Sequence, residues 1–325
     1  MIIKKSRKTQ SPVSGNPAKI PFKQKLSKMH LVLYLMVLPT VAYVFIFNYL
    51  PLGGLVMAFK NYNSFQGMWK SPWADMHGWA HFYNFITLPN FWSLIKNTLV
   101  LSCLSIFFNT ICPIFFALFL HEVKNKKIKR VIQTVMYAPY FISVVVVVGM
   151  LFAFFDYDSG LLTNIFVFLG MDRQNLMQNS NAFSIIYVLS GLWQGLGWWA
   201  IIYFGTLANV DPALHESAML EGAGRLRRIF SINLPEIMPM AIIMFILSLG
   251  NILNVGFEKV YLMQTADTLS ISEIISTYVY RVSFISEPAQ YSYATAIGLF
   301  NSVINIILLV SANAISKKIS ETSLW

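Results

Sequence analysis

Six apolar runs, each long enough to cross a bilayer, constrain this chain more than any other feature. They cover 31–50, 97–120, 131–155, 183–208, 237–257 and 291–315, and none contains Asp, Glu, Lys or Arg. A helix rises ~1.5 Å per residue, so ~20 residues cross the ~30 Å hydrocarbon core. In that solvent the backbone has to satisfy its own hydrogen bonds, and a helix does so segment by segment. The expectation is an all-α integral membrane protein with six transmembrane helices. A composition of 56% hydrophobic and 12% charged residues argues against a soluble fold. Two shorter apolar pieces, 52–59 and 161–169, are read as external interfacial segments.

Lys and Arg set the sidedness. With the N-terminus inside, 18 of the 24 basic residues fall on the inner side. The outer six are Lys60, Lys70, Lys96, Arg173, Lys259 and Arg281. This places both termini in the cytoplasm, in a cell (inner or plasma) membrane. It also accounts for the net charge of +10 without nucleic acid. The organisation is then a basic tail with a surface helix over 1–30, a six-span domain over 31–316 and a short tail over 317–325. External loops are 51–96, 156–182 and 258–290, and the long inner loop is 211–239. No A-x-A cleavage site follows the first apolar run, so that run reads as a retained span rather than a signal peptide. An amphipathic external helix is predicted where Ile271, Ile274, Ile275, Tyr278 and Val282 recur at helical spacing. Cys103 and Cys112, nine residues apart in one run, stand ~13 Å apart on a helix, too far for a disulfide, and read as buried thiols.

The inner loop carries the sharpest local signal. Asp211 is an N-cap and Pro212 fits the first helical position. Gly222 suits the left-handed residue that ends a helix. The helix between them has roughly ten residues, marginal alone in water, so it calls for a partner. Small residues (Ala213, Ser217, Ala218) would let that partner come close.

The spacing Glu216-Ser217-Ala218, Glu221-Gly222-Ala223, Ile232-x-Leu234-Pro235 and Pro239 resembles the EAA loop of ABC importer permeases. Ser217 replaces the second Ala of that pattern, Glu221 the commoner Asp, and Ile229 a usual aromatic. The segment 49–62 followed by Ser71-Pro72-Trp73 is similar to the carbohydrate subgroup that imports oligo- and polysaccharides, alginate-import permeases included. The resemblance implies a type I ABC importer permease fold. It also implies a second homologous permease, two ATPase subunits and an extracytoplasmic solute-binding protein as partners, with lipid around the spans. Glu216 would anchor the coupling helix in the ATPase groove, and Gly222 would form the turn after it.

The chain has no G-x-x-x-x-G-K-(S/T) phosphate loop, so ATP and Mg would be bound by the partners, with no cofactor in this chain. No G-x-S-x-G, H-E-x-x-H or C-x-x-C is present; no catalytic residue and no metal site is assigned. His77 and His81 sit four apart in an external loop that lacks other clear ligands. Uncharged spans argue against proton or ion coupling. The pathway is expected to be lined by Trp193, Gln194, Trp198, Asn251, Asn254, Asn301 and Asn305. The competing reading of the amides is interhelical hydrogen bonding. External aromatics between 51 and 96 serve either an interfacial belt or sugar binding. The alternatives kept open are a permease for another solute such as a peptide or amino acid, a secondary transporter, and a membrane-embedded glycosyltransferase. The last would draw on Asp156 and Asp158, the close acidic pair outside.

Overall fold

The computed structural model describes residues 28–320, with side chains from 32 to 318. The basic tail expected over 1–30 lies outside the described residues except for its last three, as does 321–325. The chain divides into two compact units, 1–54 and 55–325. Among the described residues every regular element is helical, apart from an isolated bridge between Lys60 and Trp73. In the first unit α1 (Lys28–Val44) is apolar around its whole circumference, and no residue of its described surface is buried. Such a helix has lipid as its natural solvent.

Among the described residues five helices are long and apolar enough to cross a membrane: Val32–Phe59, Phe91–His121, Ser180–Leu207, Arg225–Leu249 and Tyr291–Lys318. The piece expected as a separate segment at 52–59 is thus continuous with the first of them. The span expected over 131–155 is corrected to a pair of arms, Lys126–Phe141 and Val144–Phe154, bent by 99°, which makes a sixth crossing if the two arms act as one broken span.

The second unit contains α2 (Ala80–Ile86), α3 (Phe91–His121), α4 (Lys126–Tyr137), α5 (Val144–Phe154) and α6 (Leu161–Phe168). It continues with α7 (Ser180–Leu207), α8 (Pro212–Leu220), α9 (Leu234–Leu249), α10 (Phe257–Met263), α11 (Leu269–Ser272), α12 (Ile275–Tyr280) and α13 (Tyr291–Ser320). α3 and α7 pack along each other and form the spine, with α9 across both. Near α8 their common core holds Ala117, Leu118, Ala200, Tyr203, Ile237 and Ala241. At the opposite end two further clusters form, one around Phe183, Tyr187 and Val260, the other around Phe85, Leu94 and Ile297. α13 continues to Ser320, so the tail expected from 317 begins as helix.

The bend in the sixth crossing has local causes. Pro139 cannot donate to a helical ladder, and Ser143 restarts a helix by accepting from Val146 N at 3.4 Å. α4, with Lys126, Lys127, Lys129 and Arg130 at its start, is amphipathic, whereas α5 has no polar or charged side chain and opens with five valines. Gly197 of α7 allows the close approach of α4, because a Cβ there would land on the Met136 carbonyl.

A second departure lies between α9 and α13. The amphipathic helix predicted around 271–282 is instead two short helices, α11 and α12, with α10 ahead of them. Ile274, Ile275 and Val282 are buried as expected, but Glu273 and Arg281 form a partly buried ion pair that the helical-periodicity reading missed. Cys103 also corrects an expectation: it faces outward and is exposed, while Cys112 is half-buried; both are free thiols.

Lys259 on α10 is 8% exposed. Its Nζ donates to the Tyr187 carbonyl at 3.0 Å and lies 5.0 Å from the centre of that ring. Burial lowers its pKa from the ordinary 10.5 to about 8. Above about 8 and below 10.5 the unfolded chain holds this proton and the folded chain releases it, so stability rises with pH through that window. The thermal midpoint of the detergent-solubilised protein should therefore climb across the window, and Lys259→Met should abolish the climb. An identical climb in the variant would assign it to other groups.

Candidate functional site

α8 forms as its residues dictate. The Asp211 carboxylate accepts from Ala213 N at 2.9 Å, Pro212 opens the helix, and Gly222 closes it at φ +79°. Ala223 N donates to Ala218 O at 2.9 Å and Gly222 N to Met219 O at 3.0 Å, the paired bonds of a Schellman end. Both ends of the helix are thus capped by local bonds alone.

Little of α8 is covered. Glu216, Ser217, Glu221 and Gly222 are exposed, and Ala218 and Ala223 half-buried. Leu220 is 91% exposed, and Leu214, Met219, Leu226 and Phe230 are exposed around it. Where α8 does touch the bundle, the His215 ring lies 6.4 Å from that of His121, the last residue of α3.

The remainder of the motif is not loop, as the reading of 211–239 had it. Helical turns resume at Arg225, widen to a π turn over Ile229–Asn233 and pass into α9. Pro235 has no N–H for the carbonyl one turn back, and the widened turn immediately precedes it. Leu234 is half-buried and Pro235 exposed. Ile229, Asn233, Ile237 and Ala241, spaced four apart, make one buried stripe. Three of them pack into the core shared by α3 and α7. The segment after α8 is therefore rigidly joined to the spine, while α8 itself is not.

The residues expected to line a pathway fall into three settings. Gln194 Nε2 donates to Ile142 O at 2.8 Å, and Trp198 stacks on Tyr140 at 4.3 Å, so both serve the bend between α4 and α5. Asn301 Nδ2 donates to Leu253 O and to Asn254 Oδ1, each at 3.3 Å, and Asn305 Oδ1 accepts from Leu253 N at 3.3 Å. These two amides hold the non-helical stretch after α9; the Asn251 amide donates back to Leu247 O at 3.3 Å. Trp193 lies along an apolar groove with Phe154, Leu162 and Ile186.

A different cavity, of about 110 Å³, lies between α3, α7 and α9, its largely apolar wall carrying several polar side chains. Ser105, Asn109, Thr110, Trp199, Tyr203 and Ser248 line it. Asn109 Oδ1 is buried with no hydrogen-bond partner among the described residues. The signal was present in the sequence: Ser102, Ser105 and Asn109 recur at helical spacing on one face of the second apolar run.

Residues 113–321 match the family model for the binding-protein-dependent transport system inner membrane component. Protein LplB of Bacillus subtilis (strain 168) is 40% identical over 90% of this chain and 91% of its own length. The polygalacturonan/rhamnogalacturonan transport system permease protein YteP of the same organism is 39% identical over 90% of each. Among solved structures, a chain of a bacterial alginate ABC transporter, in complex with a periplasmic protein carrying an alginate pentasaccharide, matches at TM-score 0.83 and 36% identity. That match covers 93% of this chain and 99% of the other. The all-helical architecture, its membrane crossings and these relatives agree, and the chain belongs to the family of binding-protein-dependent transport system inner membrane components, with the type I ABC permease fold.

Proposed function

We propose that this chain is one permease subunit of an ATP-driven importer and forms half of the translocation pathway for an oligo- or polysaccharide delivered by an extracytoplasmic binding protein. The observation that carries the reading is α8: capped at both ends and exposed, with Leu214, Met219 and Leu220 on it and Leu226 and Phe230 after it all exposed. Exposed apolar side chains within one short segment mark a surface that a partner covers. An ATPase subunit is that partner, with ATP and Mg bound there and none in this chain. A second, homologous permease supplies the other half of the pathway.

The relatives carry the substrate class. YteP is named for polygalacturonan and rhamnogalacturonan, and the alginate transporter for an acidic polysaccharide. We extend glycan import to this chain on that basis. The basic residues place α8 and both termini in the cytoplasm. ATP binding would close the ATPase pair and shift α8. The turn at Gly222 and the buried stripe Ile229–Asn233–Ile237–Ala241 would pass that shift to α3 and α7. The cavity around Asn109 lies among those same helices and is the stretch of pathway contributed by this chain. On this sidedness 51–96, 156–182 and 258–290 would lie outside and 211–239 inside.

In proteoliposomes containing the whole importer, Glu216→Lys and Gly222→Val should abolish ATP-dependent saccharide uptake while the complex still assembles. The valine meets a left-handed backbone that costs an L-residue ~1–2 kcal/mol. Normal uptake by both variants would remove the coupling role of α8. Asn109→Leu should cut uptake roughly tenfold, the loss expected for ~1.4 kcal/mol of pathway interaction, and leave stimulation of the ATPase by the binding protein intact. Unaltered uptake would place the pathway elsewhere.

A further inference from the structure

A cavity of about 500 Å³ opens at the end of the second unit opposite α8, and nothing in the coupling mechanism uses it. It lies between α2, the strand-like stretch ahead of α2, and the start of α13. Its size falls within the ~300–1,000 Å³ of small-molecule sites.

Its walls combine two chemistries. Tyr62, Tyr278, Tyr291 and Tyr293 supply aromatic rings. Asn61, Asn84 and Gln290 supply amides whose side chains make no hydrogen bond among the described residues. The frame is fixed: Tyr62 N donates to Ser292 Oγ at 2.9 Å, and the Tyr62 and Tyr291 rings meet edge to face at 6.2 Å. His81 is held from below, its Nε2 3.1 Å from Lys60 O. No Asp, Glu, Lys or Arg lines the cavity. The nearby Lys60 is 6% exposed and turns its ammonium away, donating to Met68 O and Trp69 O.

Rings beside unengaged amides suit a pyranose. Its C–H face packs on a phenol ring, and its hydroxyls pair with groups that both donate and accept. An acyl chain would leave the amides unpaired at a cost, and a free anion would find no Lys or Arg among the lining residues, Arg281, 5.8 Å from the centre of the Tyr278 ring, being paired with Glu273. We propose that this cavity is a saccharide subsite at the mouth of the pathway, gripping pyranose rings through the tyrosines and amides and making no ionic contact. The proposal rests on the import reading and specifies how the entering glycan is held. It follows that the subsite does not distinguish neutral from uronate rings, so selection by charge takes place elsewhere.

The test uses the complete importer in nanodiscs, without binding protein, and two probes: trigalacturonate and maltotriose. Saturation-transfer NMR should show contact with both, equally at low and high salt. Tyr291→Ala and Asn84→Ala, at exposed positions, should weaken it roughly tenfold, equivalent to ~1.4 kcal/mol. Docking of the binding protein, measured by surface plasmon resonance, should be unchanged. No contact in the wild type, unaltered contact in both variants, or contact with trigalacturonate that salt abolishes would each overturn the proposal. Lost docking with saccharide contact intact would assign the cavity to the binding protein instead. Failure of the import reading shows separately, as a wild-type importer that takes up no saccharide; uptake without contact at the cavity refutes the subsite alone.

Discussion

Hydrocarbon offers nothing to a backbone N–H or C=O, and this molecule interrupts its helices where that matters most. Several of these interruptions are met by a polar side chain from another element. Gln194 reaches the Ile142 carbonyl at the bend. Ser102 donates to Ile252 O, and Asn301 and Asn305 clamp both backbone groups of Leu253 where α9 ends. Asn97 spans Ser270 O and Glu273 O at 3.0 and 3.1 Å, and Thr98 accepts from Ile275 N at 3.1 Å. The broken helices and the uncharged polar residues of α3, α7 and α13 are thus a single design. Each contact is modest, near ~0.6 kcal/mol in membranes, but together they allow irregular backbone inside a bundle.

The same accounting shows what was legible in the sequence. The crossings were readable because length and absence of charge follow directly from bilayer thickness. α8 was readable because Asp211, Pro212 and Gly222 each act locally, and the caps form as their chemistry requires. The bend was hidden: Pro139 is one proline in a continuous apolar run, and other prolines, Pro113 in α3 and Pro239 in α9, sit inside long helices. Pro139 and Ser143 start the break locally, but what holds it open is Gln194 on the Ile142 carbonyl, fifty-two residues before it, and no local pattern shows that pairing. Asn301 and Asn305 share a face as their spacing predicted, yet spacing does not tell a face lining a pathway from one clamping an unwound neighbour. Asn109 went unremarked, although its buried oxygen, like those of Asn233 and Asn301, lacks a partner among the described residues.

On the proposed reading, α8 and the segment after it divide the labour of transmission. The stripe through Asn233 and Ile237 is immobilised in the core, so a displacement there moves α3 and α7 with it. α8 is ordered by its own caps and touches the bundle chiefly at His215. A segment already helical loses less conformational freedom when it docks than one that folds on contact.

The bent crossing also bears on the lipid. α5 has eleven residues, so its length is ~16 Å, about half of a ~30 Å hydrocarbon core. α4 is basic and amphipathic and suits the headgroup layer. On this flank the protein presents a short apolar wall, and the other crossings present walls of full length. Where lipid covers this flank it would thin locally, at a fraction of a kcal/mol per Å of mismatch, and acyl-chain length would then act as a mechanical load on one side of the bundle.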